Sequence, residues 1–129
     1  MTDLGQTQKG KTVRFVPTRL HGMADYLLGA LLVVAPWLFG FADGGAETWV
    51  PVALGAGVVL YSLLTDYELG LVRRIPMRAH LGLDLAGGAV LAASPWVFGF
   101  ADRVWLPHLV FGLLEIGAAL FTRTRPDAS

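Results

Sequence analysis

Residues 35–43 read APWLFGFAD and residues 94–102 read SPWVFGFAD, so one nine-residue phrase occurs almost twice in the chain. Each copy places a proline, which breaks helices, beside a tryptophan in an otherwise apolar stretch. Without a gap, residues 17–43 and 76–102 are identical at 14 of 27 positions, which is far more than apolar composition alone produces. After the following turn the match resumes at residues 49–51 and 105–107, and the turn of the second copy is three residues shorter. The chain therefore contains a duplicated unit, and the fold is predicted from that unit.

The apolar residues fall into four blocks, which together raise the mean hydropathy of the chain to +0.56. Each block has about the 17 to 25 residues that a helix needs to cross the hydrocarbon core of a bilayer. The sequence predicts an all-α membrane protein with four transmembrane helices. The predicted spans are residues 21–42, 49–65, 80–101 and 105–122.

The duplication also predicts how the four spans are arranged. Each unit crosses the membrane twice, so both copies enter from the same side and form two parallel helical hairpins. A pseudo-two-fold axis along the membrane normal then relates the hairpins within one four-helix bundle. The predicted divisions are a basic tail (1–16), a first repeat (17–66), a linker (67–75), a second repeat (76–122) and a second tail (123–129).

The basic residues predict the orientation of the bundle. Nine of the ten Lys and Arg precede span one, lie between spans two and three, or follow span four, and the exception is Arg103. By the positive-inside rule, both termini and the linker face the cytoplasm, and the chain is a multi-pass inner-membrane protein. Tryptophans flank the two outer turns, where indole rings favour the membrane interface. They are Trp37, Trp49, Trp96 and Trp105.

Composition excludes several classes of function. The formal net charge is zero, which argues against a nucleic-acid partner held by phosphate neutralisation. The chain has no cysteine, which removes thiol catalysis and cysteine-ligated metals. No Gly-rich phosphate loop, catalytic nucleophile or His-Glu-x-x-His string is present, so we expect no enzymatic activity, no cofactor and no resident metal. The expected partners are the lipid bilayer and a second copy of the chain or another membrane protein.

A second repeated motif, Pro-x-Arg-x-His-x-x-x-Asp, begins each unit and contributes two polar pairs, His21 with Asp25 and His80 with Asp84. Residues four apart share a helix face, which here continues through Gly, Leu and Pro in both copies. In one interpretation, each Asp complements the positive start of its own helix and each His bonds to a neighbour. In the other, the two-fold axis joins both pairs at the cytoplasmic mouth into a cluster able to bind a cation or relay protons.

Glu115 has no counterpart in the first repeat, where the matching position is Val59. It lies near the middle of span four, where a carboxyl group is costly unless it faces the bundle interior. Tyr61 and Ser62 are its predicted hydrogen-bond partners. Two roles stay open: a functional acid or a polar lock between helices. The predicted interior face of this span is His108, Gly112, Glu115, Ala119 and Thr122.

The prolines of the repeated phrase, Pro36 and Pro95, each remove a backbone donor and displace the carbonyl four residues earlier. We therefore expect spans one and three to bend about two thirds of the way across. A freed carbonyl needs a partner in lipid, and the Ser94 hydroxyl is the predicted partner in the second copy. The adjacent Trp37 and Trp96 complete this structural motif.

Two-span repeats with Ser94-Pro95-Trp96 near the end of the first span resemble the SPW repeat family of small integral membrane proteins. The first copy departs from the motif with Ala35. The resemblance implies a fold and a membrane location and brings no activity with it. The sequence therefore predicts a non-enzymatic structural or partner-binding membrane module. The alternative is a small transporter or an ion- or proton-conducting subunit that uses the His/Asp pairs and Glu115.

Overall fold

The computed structural model describes residues 13–126, and the described chain is helical with no strand. Residues 1–12 and 127–129, which include most of the predicted basic tail, lie outside the described residues. The helices are α1 (Thr18–Leu38), α2 (Ala46–Leu63), α3 (Met77–Val97) and α4 (Leu106–Phe121). Helix α1 packs mainly against α2, helix α3 packs mainly against α4, and α2 also contacts α3.

The helix ends follow from proline and glycine. Pro17 and Pro76 precede α1 and α3 with extended backbone, and their carbonyls accept the first helical hydrogen bonds. Gly40 and Gly99 follow the other ends of these helices with positive φ angles, a conformation that glycine adopts without strain. In both turns the next N–H bonds back to the proline carbonyl five residues earlier, which is the Schellman arrangement.

Several predicted boundaries are wrong. Helices α1 and α3 begin three residues before the predicted starts. They end at Leu38 and Val97 and not at residues 42 and 101, because the turns at Gly40 and Gly99 stop them. Pro36 and Pro95 therefore lie in the last turns of these helices and not at bends farther inside. Helix α2 begins at Ala46, three residues before the predicted start, because the Gly45 carbonyl already accepts the first hydrogen bonds of the helix.

The described residues have an interior that is unusually polar and a surface that is unusually apolar. Buried polar or charged residues outnumber buried hydrophobic ones, and large hydrophobic side chains such as Leu27, Leu60 and Val97 are exposed along the helices. Large hydrophobic side chains are more often buried than exposed in soluble proteins. By length and composition, α1 and α2 qualify as membrane-spanning helices, whereas α4 is apolar but has only 16 residues.

Candidate functional site

The two predicted polar pairs lie together in the interior. We call the four residues the His–Asp cluster: His21, Asp25, His80 and Asp84. All four side chains are buried, with at most 4 % of their surface exposed. One ligating atom from each residue lies within 4.8 Å of those from the other three. The structure therefore has the shared arrangement and not two separate pairs.

Equivalent positions on two helices build the cluster. Each histidine is the fourth residue of its helix and each aspartate is the eighth, on α1 and on α3. The extended prolines before both helices fix these positions, because the histidine N–H bonds to the proline carbonyl at 3.0 Å in each case. The predicted polar faces of α1 and α3, with Gly29 and Leu32 in one and Gly88 and Leu91 in the other, are buried as expected.

Each histidine lies at least as close to the aspartate of the other helix as to its own. His21 Nε2 is 2.8 Å from Asp84 Oδ2 and 3.1 Å from Asp25 Oδ1. His80 Nε2 is 3.0 Å from Asp25 Oδ2 and 3.2 Å from Asp84 Oδ2. Within residues 13–126, the two histidines are the ion-pair partners of both carboxylates. Two buried carboxylates that share the same two histidines need positive charge between them. The imidazole rings can supply that charge when they are protonated, or can bind a cation that carries it.

Two tyrosines orient the carboxylates. Tyr67 Oη donates to Asp25 Oδ2 at 2.7 Å, and Tyr61 Oη donates to Asp84 Oδ1 through a short hydrogen bond. Burial, followed by the nearby Asp25 carboxylate, raises the pKa of the Tyr67 hydroxyl above its ordinary value. Tyr67 therefore keeps its proton and remains a donor to Asp25.

Two threonines hold the histidine rings at Nδ1, the ring nitrogen that does not face the aspartates. His21 Nδ1 lies 2.7 Å from Thr122 Oγ1, and His80 Nδ1 lies 2.7 Å from Thr65 Oγ1. Thr65 Oγ1 also donates its proton to the Tyr61 carbonyl at 2.7 Å. Since that proton is committed, Thr65 accepts from His80, and Nδ1 of His80 carries a hydrogen. Nε2 of His80 is buried and has no hydrogen-bond partner of good geometry within the described residues.

Glu115 lies close to the cluster but does not join it by a hydrogen bond. Its side chain is 4 % exposed, and its Cβ packs against Gly88, one helical turn beyond Asp84. The predicted hydrogen bonds from Tyr61 and Ser62 to this carboxyl are not formed, because Tyr61 reaches Asp84 instead. The interior face predicted for this span, which contains Glu115, is buried as expected.

A second buried polar group, which no motif in the sequence indicates, lies at the opposite end of the bundle. Glu47 is 2 % exposed, and Arg103 Nη2 lies 3.0 Å from its Oε1. The Glu47 carbonyl also accepts a hydrogen bond from His108 Nε2 at 2.9 Å, and the His108 ring packs against Phe41 and Phe100. This group joins the starts of α2 and α4.

The chain matches the family model of the SPW repeat domain over residues 19–122. It belongs to the SPW repeat family. The match covers both copies of the repeated phrase and confirms the resemblance inferred from Ser94, Pro95 and Trp96. No curated protein and no solved structure matches the chain. The family match and the two apolar helices of spanning length together indicate a membrane protein, and the match assigns no activity.

The SPW motif has a defined local role. Pro95 cannot donate to the Leu91 carbonyl, and Ser94 Oγ donates to that carbonyl at 2.7 Å, as predicted. Trp96 packs against Trp105 across the turn between α3 and α4 with ring centroids 6.3 Å apart. Trp37 and Trp49 form the corresponding pair at 6.2 Å across the turn between α1 and α2. The Ser-Pro-Trp motif therefore lies at the end of α3, where Ser94 bonds to the carbonyl that Pro95 leaves without a donor. Trp96 packs this helix end against the start of α4.

Proposed function

We propose that this SPW repeat protein is a four-span, non-enzymatic module of the inner membrane, in which the His–Asp cluster joins two hairpin units, residues 17–66 and 76–122. Both termini and the linker face the cytoplasm, and the module serves a structural or partner-binding role. The observation that carries the proposal is the pairing of each histidine with the aspartate of the other unit.

The distribution of polarity supports the membrane placement. The cluster, Glu115 and Glu47 lie inside the bundle, while leucine, valine and tryptophan side chains face outward on all four helices. In water this arrangement exposes apolar surface and buries charge, and both are unfavourable. In a bilayer the same arrangement is favourable, because the acyl chains cover the apolar surface and the polar groups bind one another.

The contacts between the units support a two-fold relation. Val16 pairs with Thr122, so the chain entering α1 lies beside the end of α4. Ile75 pairs with Thr65, so the chain entering α3 lies beside the end of α2. The two histidines bond to the same two threonines. Each unit thus closes the cytoplasmic end of the other in the same way.

The helix packing within each unit supports the duplication and revises one detail of it. Gly55 of α2 approaches Gly29 of α1, and Gly112 of α4 approaches Gly88 of α3, so Gly55 and Gly112 are equivalent. Glu115 lies three residues after Gly112, and Val58 lies three residues after Gly55. Glu115 therefore corresponds to Val58, which is buried, and not to Val59. The acid therefore replaces a core valine of the first unit.

A conducting subunit is the second candidate, because Glu115 is buried near the cluster without a hydrogen bond within residues 13–126. Leu32 and Leu91, both fully buried, oppose a continuous polar path. They lie two turns beyond the aspartates, between the cluster and the polar group at Glu47. Flux through purified protein in liposomes separates the candidates: the proposal predicts proton and cation flux equal to that of empty liposomes. Flux that is abolished by Glu115→Gln would support the conducting candidate.

The topology is tested by cysteine labelling, since the native chain has no cysteine. Leu71 in the linker is 78 % exposed and the Asp102 side chain in an outer turn is 81 % exposed, so Leu71→Cys and Asp102→Cys are matched reporters. In right-side-out membrane vesicles, an impermeant maleimide should label Asp102→Cys directly. It should label Leu71→Cys only after permeabilisation. Labelling of both from one side would refute the four-span topology.

A further inference from the structure

We propose that the His–Asp cluster is a binding site for one divalent first-row transition-metal ion of the Zn²⁺ type, held by His21, Asp25, His80 and Asp84. The inference goes beyond the proposed function, because it concerns the occupant of the cluster and not the topology of the chain. It rests on three features of the cluster: the separations of its atoms, the orientation of one histidine, and the surrounding hydrogen bonds.

The separations match a tetrahedral site. An ion with four ligands at about 2.0 to 2.1 Å places the ligand atoms about 3.3 Å apart along each edge of the tetrahedron. Asp84 Oδ2 lies 2.8 Å from His21 Nε2 and 3.2 Å from His80 Nε2. Asp25 approaches the two histidines with different oxygens, Oδ1 at 3.1 Å from His21 Nε2 and Oδ2 at 3.0 Å from His80 Nε2. The ligating atoms are all within 4.8 Å of one another. An ion at the centre therefore requires the short nitrogen–oxygen separations to lengthen by a few tenths of an ångström and any longer separation, at most 4.8 Å, to shorten.

The orientation of His80 points independently to a ligand. Its Nδ1 carries a hydrogen that is donated to Thr65, so in the neutral ring Nε2 presents a lone pair. That lone pair is fully buried and faces carboxylate oxygens of Asp25 and Asp84 at 3.0 and 3.2 Å. A lone pair facing two anions is repulsive unless a cation lies between them. Nε2 has no hydrogen-bond partner of good geometry within residues 13–126, so its lone pair is available to a ligand.

The surrounding hydrogen bonds are those that metal-binding histidines and carboxylates require. Metal-ligating histidines donate their other ring N–H to a nearby acceptor, and ligating carboxylates are held by donors of their own. Here the threonines Thr65 and Thr122 face the histidines, while Tyr61 and Tyr67 hold the aspartates. Thr65, Thr122 and Tyr61 contact atoms other than the inner ones, and Tyr67 donates to Asp25 Oδ2, which leaves Oδ1 of Asp25 without a tyrosine donor.

The ligand set selects the class of ion. Two imidazoles favour Zn²⁺ and its neighbours over Mg²⁺ and Ca²⁺, which prefer oxygen ligands at higher coordination number. Two carboxylates cancel the charge of a divalent ion, so the loaded cluster is neutral, as a buried site requires. The competing occupant is protons, with both histidines doubly protonated between the carboxylates.

The test uses the full chain in detergent, stripped of metal with a chelator and titrated with Zn²⁺, Co²⁺ or Mg²⁺. We expect one Zn²⁺ per chain, a visible Co²⁺ spectrum of the tetrahedral type, and no binding of Mg²⁺ at equal concentration. His80→Gln should lose more affinity than the roughly 10- to 100-fold that outer partners of a metal site typically contribute. Thr65→Val should fall within that range. His108→Gln is the matched control, because His108 is a buried histidine outside the cluster, and its affinity should equal that of the native chain.

X-ray absorption at the zinc edge of the native chain keeps the inference testable even if the variants fail to fold. Four nitrogen or oxygen ligands that include two imidazoles are expected. Absence of stoichiometric Zn²⁺ binding, fewer than two imidazoles, or equal affinity in native and His80→Gln proteins would overturn the metal site. The cysteine labelling of the metal-free chain decides the topology separately, so failure of one proposal is distinguishable from failure of the other.

Discussion

Replacing the two aspartates with asparagine, singly and together, distinguishes one shared site from two separate pairs. Asp25 and Asp84 each face Nε2 atoms of both histidines and each accept a hydrogen bond from a tyrosine. Asn keeps the size of the side chain but removes its charge and exchanges one acceptor for a donor. Either substitution therefore disturbs the contacts of both helices.

The expected magnitudes follow from this sharing. Breaking a buried ion pair by removing one partner costs about 3 to 5 kcal/mol, which is the loss expected for Asp25→Asn or Asp84→Asn. Once one carboxylate is lost, the network that the second one stabilises is already broken. The double variant should therefore lose at most about 1 kcal/mol more unfolding free energy than the less stable of the two single variants. The resulting coupling free energy is at least about 2 kcal/mol, which is toward the upper end for contacting residues.

The assay is reversible unfolding of the full chain in mixed detergent micelles, with a chelator present so that protein contacts alone are measured. Asp102→Asn is the control, because this carboxylate is exposed, and its free energy of unfolding should equal that of the native chain. Single losses of about 0.3 to 1 kcal/mol that add in the double variant are typical of independent helix-end effects. That result would refute the shared cluster.

Three further substitutions test the packing around the cluster by the same unfolding measurement. Ser94→Ala should cost about 1 kcal/mol, because the carbonyl three residues earlier loses its hydroxyl donor. Gly112→Ala should cost about 1 to 3 kcal/mol, because its Cβ would lie 2.5 Å from a backbone nitrogen of α3. Gly117→Ala is the control and should cost nothing, because its Cβ would meet open space. Trp37→Ala and Trp49→Ala should be coupled by about 1 kcal/mol, because the rings pack edge to face.

Each of these predictions has an outcome that would contradict it. A loss from Ser94→Ala that is matched by a similar loss from Ala35→Ser would show that the hydroxyl is not the source of the effect. Equal losses from the two glycine variants would place the close helix contact elsewhere. Additive tryptophan variants would mean that the ring contact contributes nothing.

The parts of the fold that depend on local pattern were predictable from the sequence. The buried faces of α1, α3 and α4 follow the 3.6-residue period, and the hydrogen bond from Ser94 follows from the proline beside it. The pairing of His21 with Asp25 and of His80 with Asp84 follows from their four-residue spacing. The contacts across the units required the additional step from duplication to a two-fold axis.

The remaining contacts of the site depend on tertiary register, which a single sequence does not contain. Thr65 and Thr122 lie at the ends of α2 and α4, and only the placement of those ends beside the opposite unit brings them to the histidines. A threonine closing the second helix of each unit was the available clue. Tyr67 lies in the linker and has no counterpart after α4, so no repeat pattern indicated it. Tyr61 was assigned to Glu115, because the relative rotation of α2 and α4 was unknown.

The most direct test of the shared cluster is solid-state NMR of the full chain in lipid bilayers, with ¹⁵N in the histidine rings and ¹³C in the aspartate carboxyls. A shared cluster should give nitrogen–carbon contacts between the units, from His21 to Asp84 and from His80 to Asp25, as strong as those within each helix. His108 provides the internal control, because its ring bonds to a backbone carbonyl and should show no aspartate contact. Contacts confined to His21 with Asp25 and His80 with Asp84 would contradict the shared cluster.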